Sequence, residues 1–313
     1  MVDVVVLWSA LVTSSLLSLL TIGLTLTYLT TRVPNFAHGS FASVGIYVGL
    51  VTAQVWGFNM YFGLLPGFLI GGAVALMQYL LFLRPMTRRN ASVTALMVAT
   101  IAFDILLIAI LNIFADYLQN SFRLNSRYFL LSPYDFQIFG LRGIIVVAPV
   151  LVVAVVASLY LLLNKTKFGI AMRATIENPP LAGTIGINTN LVYIVSWFIA
   201  GGLAGMAGSV MSLWYIGNTD VGSNFFLISI FAAGVIGGIY NIYGAVIGAF
   251  IIGTVQSVLI STLATSFGAG IIPYQPLIPL IAMVATLLIA PSGIMGINYR
   301  ALKKKLWRKP DAS

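Results

Sequence analysis

The sequence predicts an all-α fold, a polytopic transmembrane helix bundle of about eight to nine membrane elements, two of them broken or re-entrant. Three observations lead there. Of 313 residues, 60% are hydrophobic and only 7% are charged, whereas a soluble domain carries about 25% charged residues. Apolar runs close to the roughly 20 residues that cross a hydrocarbon core about 30 Å thick recur along the whole chain. Among the 30 glycines are five Gly-x-x-x-Gly pairs, and lipid-embedded helices need small residues where they meet.

The elements follow in order. Val4–Tyr28, Tyr61–Leu83, Ala91–Phe114, Ile144–Leu163, Leu191–Ile216 and Ala245–Leu263 are long and apolar enough to span. Phe41–Trp56, Asn224–Ile239 and Leu277–Ile289 are shorter or interrupted. Residues 1–300 therefore read as one membrane domain and 301–313 as a basic tail. No basic segment precedes the first run, which is too long for a signal-peptide core, so it is expected to remain as a span.

A formal charge of +9 sets the orientation and gives no support for nucleic-acid binding. The cations cluster as Arg84/Arg88/Arg89, Lys165/Lys167/Arg173 and Arg300 to Lys309, at the ends of apolar runs. The positive-inside rule places all three clusters, and hence the C-terminus, in the cytoplasm of a multi-pass cell-membrane protein. Residues 115–143 become an external loop, although Arg123, Arg127 and Arg142 run against the rule there, partly offset by Asp116 and Asp135. The basic tail suits anionic lipid headgroups.

Gly-x-x-x-Gly pairs stand at Gly45/Gly49, Gly67/Gly71, Gly201/Gly205, Gly234/Gly238 and Gly244/Gly248. Helix packing accounts for most of them. Two regions ask for more: Thr31 to Ser40, with Pro34, Asn35, Phe36 and His38, and Gly234 to Gly244, with Gly237, Gly238 and Asn241. Both set helix breakers beside short apolar runs. Irregular backbone at membrane depth survives only inside protein or along a water-filled cavity, and interrupted segments in corresponding halves point to a transport path. Read this way the two regions are paired broken elements; read otherwise they are interfacial loops.

The gap from Asn164 to Asn190 exceeds the 2–8 residues that usually join antiparallel helices. Lys165–Thr175 reads as a basic helix continuing the preceding span. Asn178 is placed to cap a second helix, Pro179 to occupy its first position, Glu177 to complement its dipole and Gly186 to end it. Leu181, Ala182 and Ile185 give it an apolar face. So short a helix is marginal alone and needs a partner surface, in this chain or another.

Asn35-Phe36-Ala37-His38-Gly39, then Arg173-Ala174-Thr175 with Gly186-Ile187-Asn188, then Phe231 to Gly238 with Gly244 to Gly248, occur in that order. Together they resemble the permease subunits of branched-chain amino acid ABC importers, closer to the shorter of the two paired permeases, over about residues 15–295. The resemblance implies import of branched-chain or other small apolar amino acids, with urea, short amides or sugars as alternative cargo. It implies a second related permease, two cytoplasmic ATP-binding subunits, an extracytoplasmic binding protein and the bilayer as partners. It also implies that the loop bearing Arg173, Glu177, Asn178, Leu181, Ala182 and Gly186 couples to an ATPase. Pro179-Pro180 and Tyr240-Asn241-Ile242-Tyr243 depart from the family pattern and bear on docking detail and on the local channel wall.

Enzyme chemistry has no visible basis. The chain has no cysteine and one histidine, which excludes thiolate and multi-histidine metal sites, and it lacks a phosphate-binding loop and a nucleophile elbow. No cofactor is expected. Asp104 stands mid-span, where a carboxylate costs about 2.5–3.5 kcal/mol to insert; it either lines a path or is paired within the bundle. His38 has the same two readings, and Gln78 and Gln256 fit ordinary helix pairing. An ATP-independent secondary transporter is the rival class, although no series of intramembrane acids suggests ion coupling.

Overall fold

The computed structural model describes residues 4–138 and 140–296. Nine membrane elements appear among them, where the hydropathy placed them. The helices are α1 (Val4–Thr31), α2 (His38–Leu50), α3 (Leu64–Gln78), α4 (Arg84–Arg88), α5 (Val93–Phe122), α6 (Gly143–Lys165), α7 (Lys167–Glu177), α8 (Pro179–Thr184), α9 (Thr189–Met211), α10 (Leu227–Gly237), α11 (Ile242–Phe267) and α12 (Leu277–Ile289). A π-helical turn joins α3 to α4, so Met60–Arg88 is one continuous span. Seven segments are long and apolar enough to cross a membrane. Extended pairing among the described residues comprises a two-residue antiparallel ribbon, β1 (Gln137–Ile138) with β2 (Leu141–Arg142), and a bridge between Phe129 and Gly217.

At the centre stands α1, whose residues 12–27 are all buried. Several of its serines and threonines turn back onto the preceding turn, as Ser18 does to the Ser14 carbonyl and Thr21 to that of Leu17, while Thr13 reaches Tyr215 and Ser14 the Phe250 carbonyl. These side chains are short, and neighbours can approach closely. Glycine then sets the nearest approaches. A Cβ on Gly45 in α2 would lie 2.0 Å from the Gly205 carbonyl oxygen, and one on Gly67 in α3 would lie 2.7 Å from it. The α9 backbone is thus held between α2 and α3, and three of the five expected glycine pairs converge there. The Gly234/Gly238 pair does not act this way. A Cβ on Gly234 meets only the Thr21 methyl at 3.7 Å, Gly238 has left the helix at φ +101°, and Gly237 is the residue pressed against Gly244.

The ends of the bundle differ in charge. Arg84 and Arg88 share one cavity with Thr31 and Asn190, and Arg173 shares another with Leu29, Asn164 and Tyr240. The first two basic clusters therefore lie on one face; the third, Arg300 to Lys309, and the rest of the 301–313 tail lie outside the described residues. The three contrary arginines are at the other end. Arg127 is paired with Asp116 at 2.6 Å and also bonds Asn112. Arg142 stacks over Trp214 at 5.6 Å, and Arg123 ends α5 in the left-handed conformation. That helix runs to Phe122, past the expected start of the loop at 115, because Ala115 and Leu118 pack inward.

Candidate functional site

Two membrane elements are too short to cross. With its terminal π-turn, α2 covers 38–55, and α10 with its leading π-turn covers 222–237, or about 27 and 24 Å at 1.5 Å per residue. Pro34 has no amide hydrogen to continue α1, the chain turns at Arg32 with φ +54°, and α2 restarts inside the protein with every residue of 38–50 buried. Its depth follows from its partners. His38 Nε2 lies 2.9 Å from the Leu20 carbonyl oxygen, eleven residues up from the end of α1, or about 16 Å. Ser40 Oγ donates to Asp104 Oδ1 at 2.5 Å, which is again eleven residues into α5. The helix therefore starts near mid-membrane and runs away from the basic face.

What meets it there is the start of α10, through Gly222 and Ser223. A Cβ on Gly39 would lie 2.3 Å from the Gly222 carbonyl oxygen, and one on Gly222 would lie 2.0 Å from that of Gly39. The two half-length helices abut at their N-terminal ends, and from this contact α10 descends to the basic face. Each N-terminus carries about half a positive charge. The Asp104 carboxylate sits between them, accepting from Ser40 and, at 2.7 Å, from Ser223, whose hydroxyls are themselves 2.7 Å apart. An acid in this position serves as the counter-charge to two helix dipoles, which accounts for a carboxylate in mid-span.

Asp104 belongs to a line. Along α5, Thr100 lies one turn from Asp104, and Asn112 one turn from Asp116. Thr100 accepts the Phe36 amide. Asn112 accepts from Arg127 and Thr219. Near the start of α10, Asn224 donates to Asp220. A polar strip thus runs from the end opposite the basic face down to the helix junction, bordered on α5 by exposed Ile101, Ile105 and Leu106.

The expected residues divide. Asn35, Phe36, His38 and Asp104 gather at the junction. Asn35 Oδ1 accepts from the Ala37 amide and from Gln78, and the Phe36 ring lies 5.3 Å from that of Phe231. Gly237, Gly238 and Asn241 do not join them. They form the corner between α10 and α11 at the basic face, where Asn241 caps α11 through the amides of Tyr243 and Gly244. The second interruption is therefore at the other end of α10, at Gly222-Ser223. Hydropathy placed the start of the run just beyond it, at Asn224, and so left Gly222-Ser223 in the preceding polar loop. A signal did exist, since Gly39-Ser40 and Gly222-Ser223 are the same dipeptide at the start of two short apolar runs.

On the basic face, α8 has the expected cap: Asn178 Oδ1 accepts the Leu181 amide at 3.1 Å, Pro179 is at its first position, and Gly186 has φ +85°. Two expectations change. The span does not continue into α7, because Thr166 breaks the helix and caps the new one through the Gly169 amide. The apolar face is split: Leu181 and Ile185 are 59% and 69% exposed, whereas Ala182 is buried. Arg173 turns inward and donates to the Leu163 carbonyl and Asn164, closing the corner between α6 and α7. Glu177 ends α7, directly before the cap.

A family model described as branched-chain amino acid transport system / permease component matches residues 6–291. The probable branched-chain amino acid transport permease protein LivH of Methanocaldococcus jannaschii is 44% identical over 301 residues, covering 96% of this chain and 95% of that protein. The solved structure of PsaBC from Streptococcus pneumoniae in complex with Fab aligns over 96% of this chain and 95% of that one, at 16% identity and a TM-score of 0.49.

Proposed function

The chain belongs to the family of permease components of branched-chain amino acid transport systems, and from that premise we propose that it is the membrane-spanning permease of an ATP-driven importer for branched-chain or other small apolar amino acids, working by alternating access. The basic face is cytoplasmic by the positive-inside rule, and the C-terminus with it. Two ATP-binding subunits take hold of α8 there and hydrolyse ATP on their own chains. A binding protein delivers cargo at the opposite face, and a second, related permease covers the polar strip of α5.

The observation that carries the mechanism is the continuity from α8 to the junction. Five residues after α8 ends, α9 begins, and its Gly205 is locked between Gly45 of α2 and Gly67 of α3. A push on α8 reaches α2 through backbone contacts that have no side-chain slack, and α2 carries Gly39 and Ser40 to the junction. Cargo passes along Asp104, Asn112 and Asp116, with Asn35, Phe36 and His38 beside the inner end of the strip, and leaves past the corner of Gly237, Gly238 and Asn241.

Reconstitution tests this reading. Proteoliposomes holding this chain, its paired permease, the ATP-binding subunits and the binding protein are expected to accumulate labelled leucine, isoleucine and valine only with ATP present. Uptake that survives ATP depletion, or that needs no nucleotide-binding subunit, would overturn it.

A further inference from the structure

A cavity of about 400 Å³ opens at the basic face between the end of α1, the α3–α4 run and the starts of α5 and α9. Its wall is unusual in charge. Arg84, Arg88, Tyr79, Thr189, Asn190 and Tyr193 all line it, and all can donate a hydrogen bond. Among the described residues none of these side chains has a protein acceptor, and Arg84 Nε is buried without one. Among the described residues no carboxylate lines the cavity. The ion pair among the described residues is Arg127 with Asp116, at the far end of the molecule. The threonines of α1 and α4 that share the wall, Thr30, Thr31 and Thr87, spend their hydroxyl hydrogens on the Leu26, Thr27 and Leu83 carbonyls. The free donors are thus concentrated on the α3–α4 and α9 sides.

Two guanidinium groups around one walled space repel each other unless an anion stands between them. The wall offers two guanidinium groups, neutral hydroxyl and amide groups and, among the described residues, no carboxylate, which suits an anionic ligand rich in acceptors. A phosphate group has that character, and guanidinium binds it in bidentate fashion. A zwitterionic amino acid does not fit, since its ammonium group would find cations and no carboxylate. Surface arginines that merely obey the positive-inside rule would have no reason to surround a cavity lined by the unpartnered hydroxyl and amide groups of Tyr79, Thr189, Asn190 and Tyr193.

We propose that this cavity is a binding site for a phosphate group, distinct from the cargo path. The phosphate is that of an anionic lipid headgroup in the adjoining leaflet or a free phosphate from the aqueous side; both present the same oxygens to Arg84 and Arg88. When occupied, the site ties the first residues of α9, Thr189 and Asn190, to the α3–α4 run, directly after the loop that carries α8.

The test uses the assembled transporter, stripped of lipid in detergent. Thermal midpoints are measured against inorganic phosphate, with potassium chloride as the ionic-strength control, and native mass spectrometry counts phosphatidylglycerol and phosphatidylcholine retained from vesicles of each. Saturable stabilisation by phosphate is expected if the ligand is free, and selective retention of phosphatidylglycerol if it is lipid. Either effect should weaken about tenfold or more in Arg84→Gln with Arg88→Gln, as each lost charge-assisted bond is worth about a factor of ten. Arg89→Gln, which shares the interfacial charge but does not line the cavity, should leave it intact. Arg88→Gln alone, at an exposed side chain, serves if the double variant fails to accumulate. The proposal is overturned if neither phosphate nor phosphatidylglycerol binds saturably, or if Arg89→Gln weakens binding as much as Arg88→Gln does.

Discussion

Replacing Leu181 and Ile185 together by aspartate separates docking from folding. The two side chains are 59% and 69% exposed, so within the chain they bury little, and charged replacements there should move the permease's own thermal midpoint by no more than a surface change does, within about 0.5 kcal/mol. Full burial of a leucine or isoleucine side chain is worth about 1.5–3 kcal/mol. Scaled by the exposed fractions, each residue leaves roughly 1–2 kcal/mol for a partner to recover. The pair therefore contributes about 2–4 kcal/mol to docking, or roughly a 30- to 700-fold change in affinity, and desolvating the new carboxylates deepens the loss. Ala182 is the internal control. It is 2% exposed, so Ala182→Asp buries a carboxylate within the chain itself and should lower the midpoint before any partner is added. The assay is co-purification of the ATP-binding subunits on tagged permease, with thermal unfolding of the permease alone and leucine uptake in parallel. Undiminished ATPase retention by Leu181→Asp/Ile185→Asp would refute the reasoning. So would an Ala182→Asp permease of native stability that loses the ATPase, because the inward and outward faces of α8 would then be reversed.

Asp104→Ala leaves the Ser40 and Ser223 hydroxyls, already 2.7 Å apart, to bond each other with one hydrogen unplaced, a cost of about 1–3 kcal/mol; Asp104→Asn keeps the oxygen acceptor and loses the charge. Thermal stability should fall in both variants, further in the alanine one, and uptake should fall in both, whereas normal uptake by Asp104→Asn would make the residue purely structural. Gly45→Ala forces α2 from α9, since its Cβ would stand 2.0 Å from the Gly205 oxygen, and should cost about 1–3 kcal/mol. Gly234→Ala meets only a methyl group at 3.7 Å and should unfold at the native temperature; equal midpoints for the two variants would refute this packing. Asn178→Ala removes the cap of α8 at a cost of about 1 kcal/mol, and is expected to weaken ATPase retention severalfold while the spans keep their thermal midpoint.

Much of this molecule is legible in order along the chain. All nine membrane elements, the two basic clusters of the described residues and the Asn178-Pro179…Gly186 helix follow from hydropathy, charge and capping, because each depends on residues near one another in sequence. The polar residues of α5 were equally open to reading: Thr100 with Asp104, and Asn112 with Asp116, stand one helical turn apart. The pairing of the broken elements was not. Gly234 to Gly244 has the stronger breakers, yet Asn241 spends its side chain capping α11, while Gly222-Ser223, just outside the apolar run that begins at Asn224, makes the contact.

What the sequence determined by itself, then, is that the chain spans a membrane repeatedly, where each element lies and which end carries the positive charge, since partition between water and hydrocarbon acts on each segment separately. The tertiary structure alone decided that two half-length helices meet end to end at Gly39 and Gly222, that Asp104 stands between their dipoles, and that α8 presents Leu181 and Ile185 while hiding Ala182. Those choices depend on backbones 183 residues apart approaching within contact of one another, and no local pattern encodes which distant glycine will be the partner.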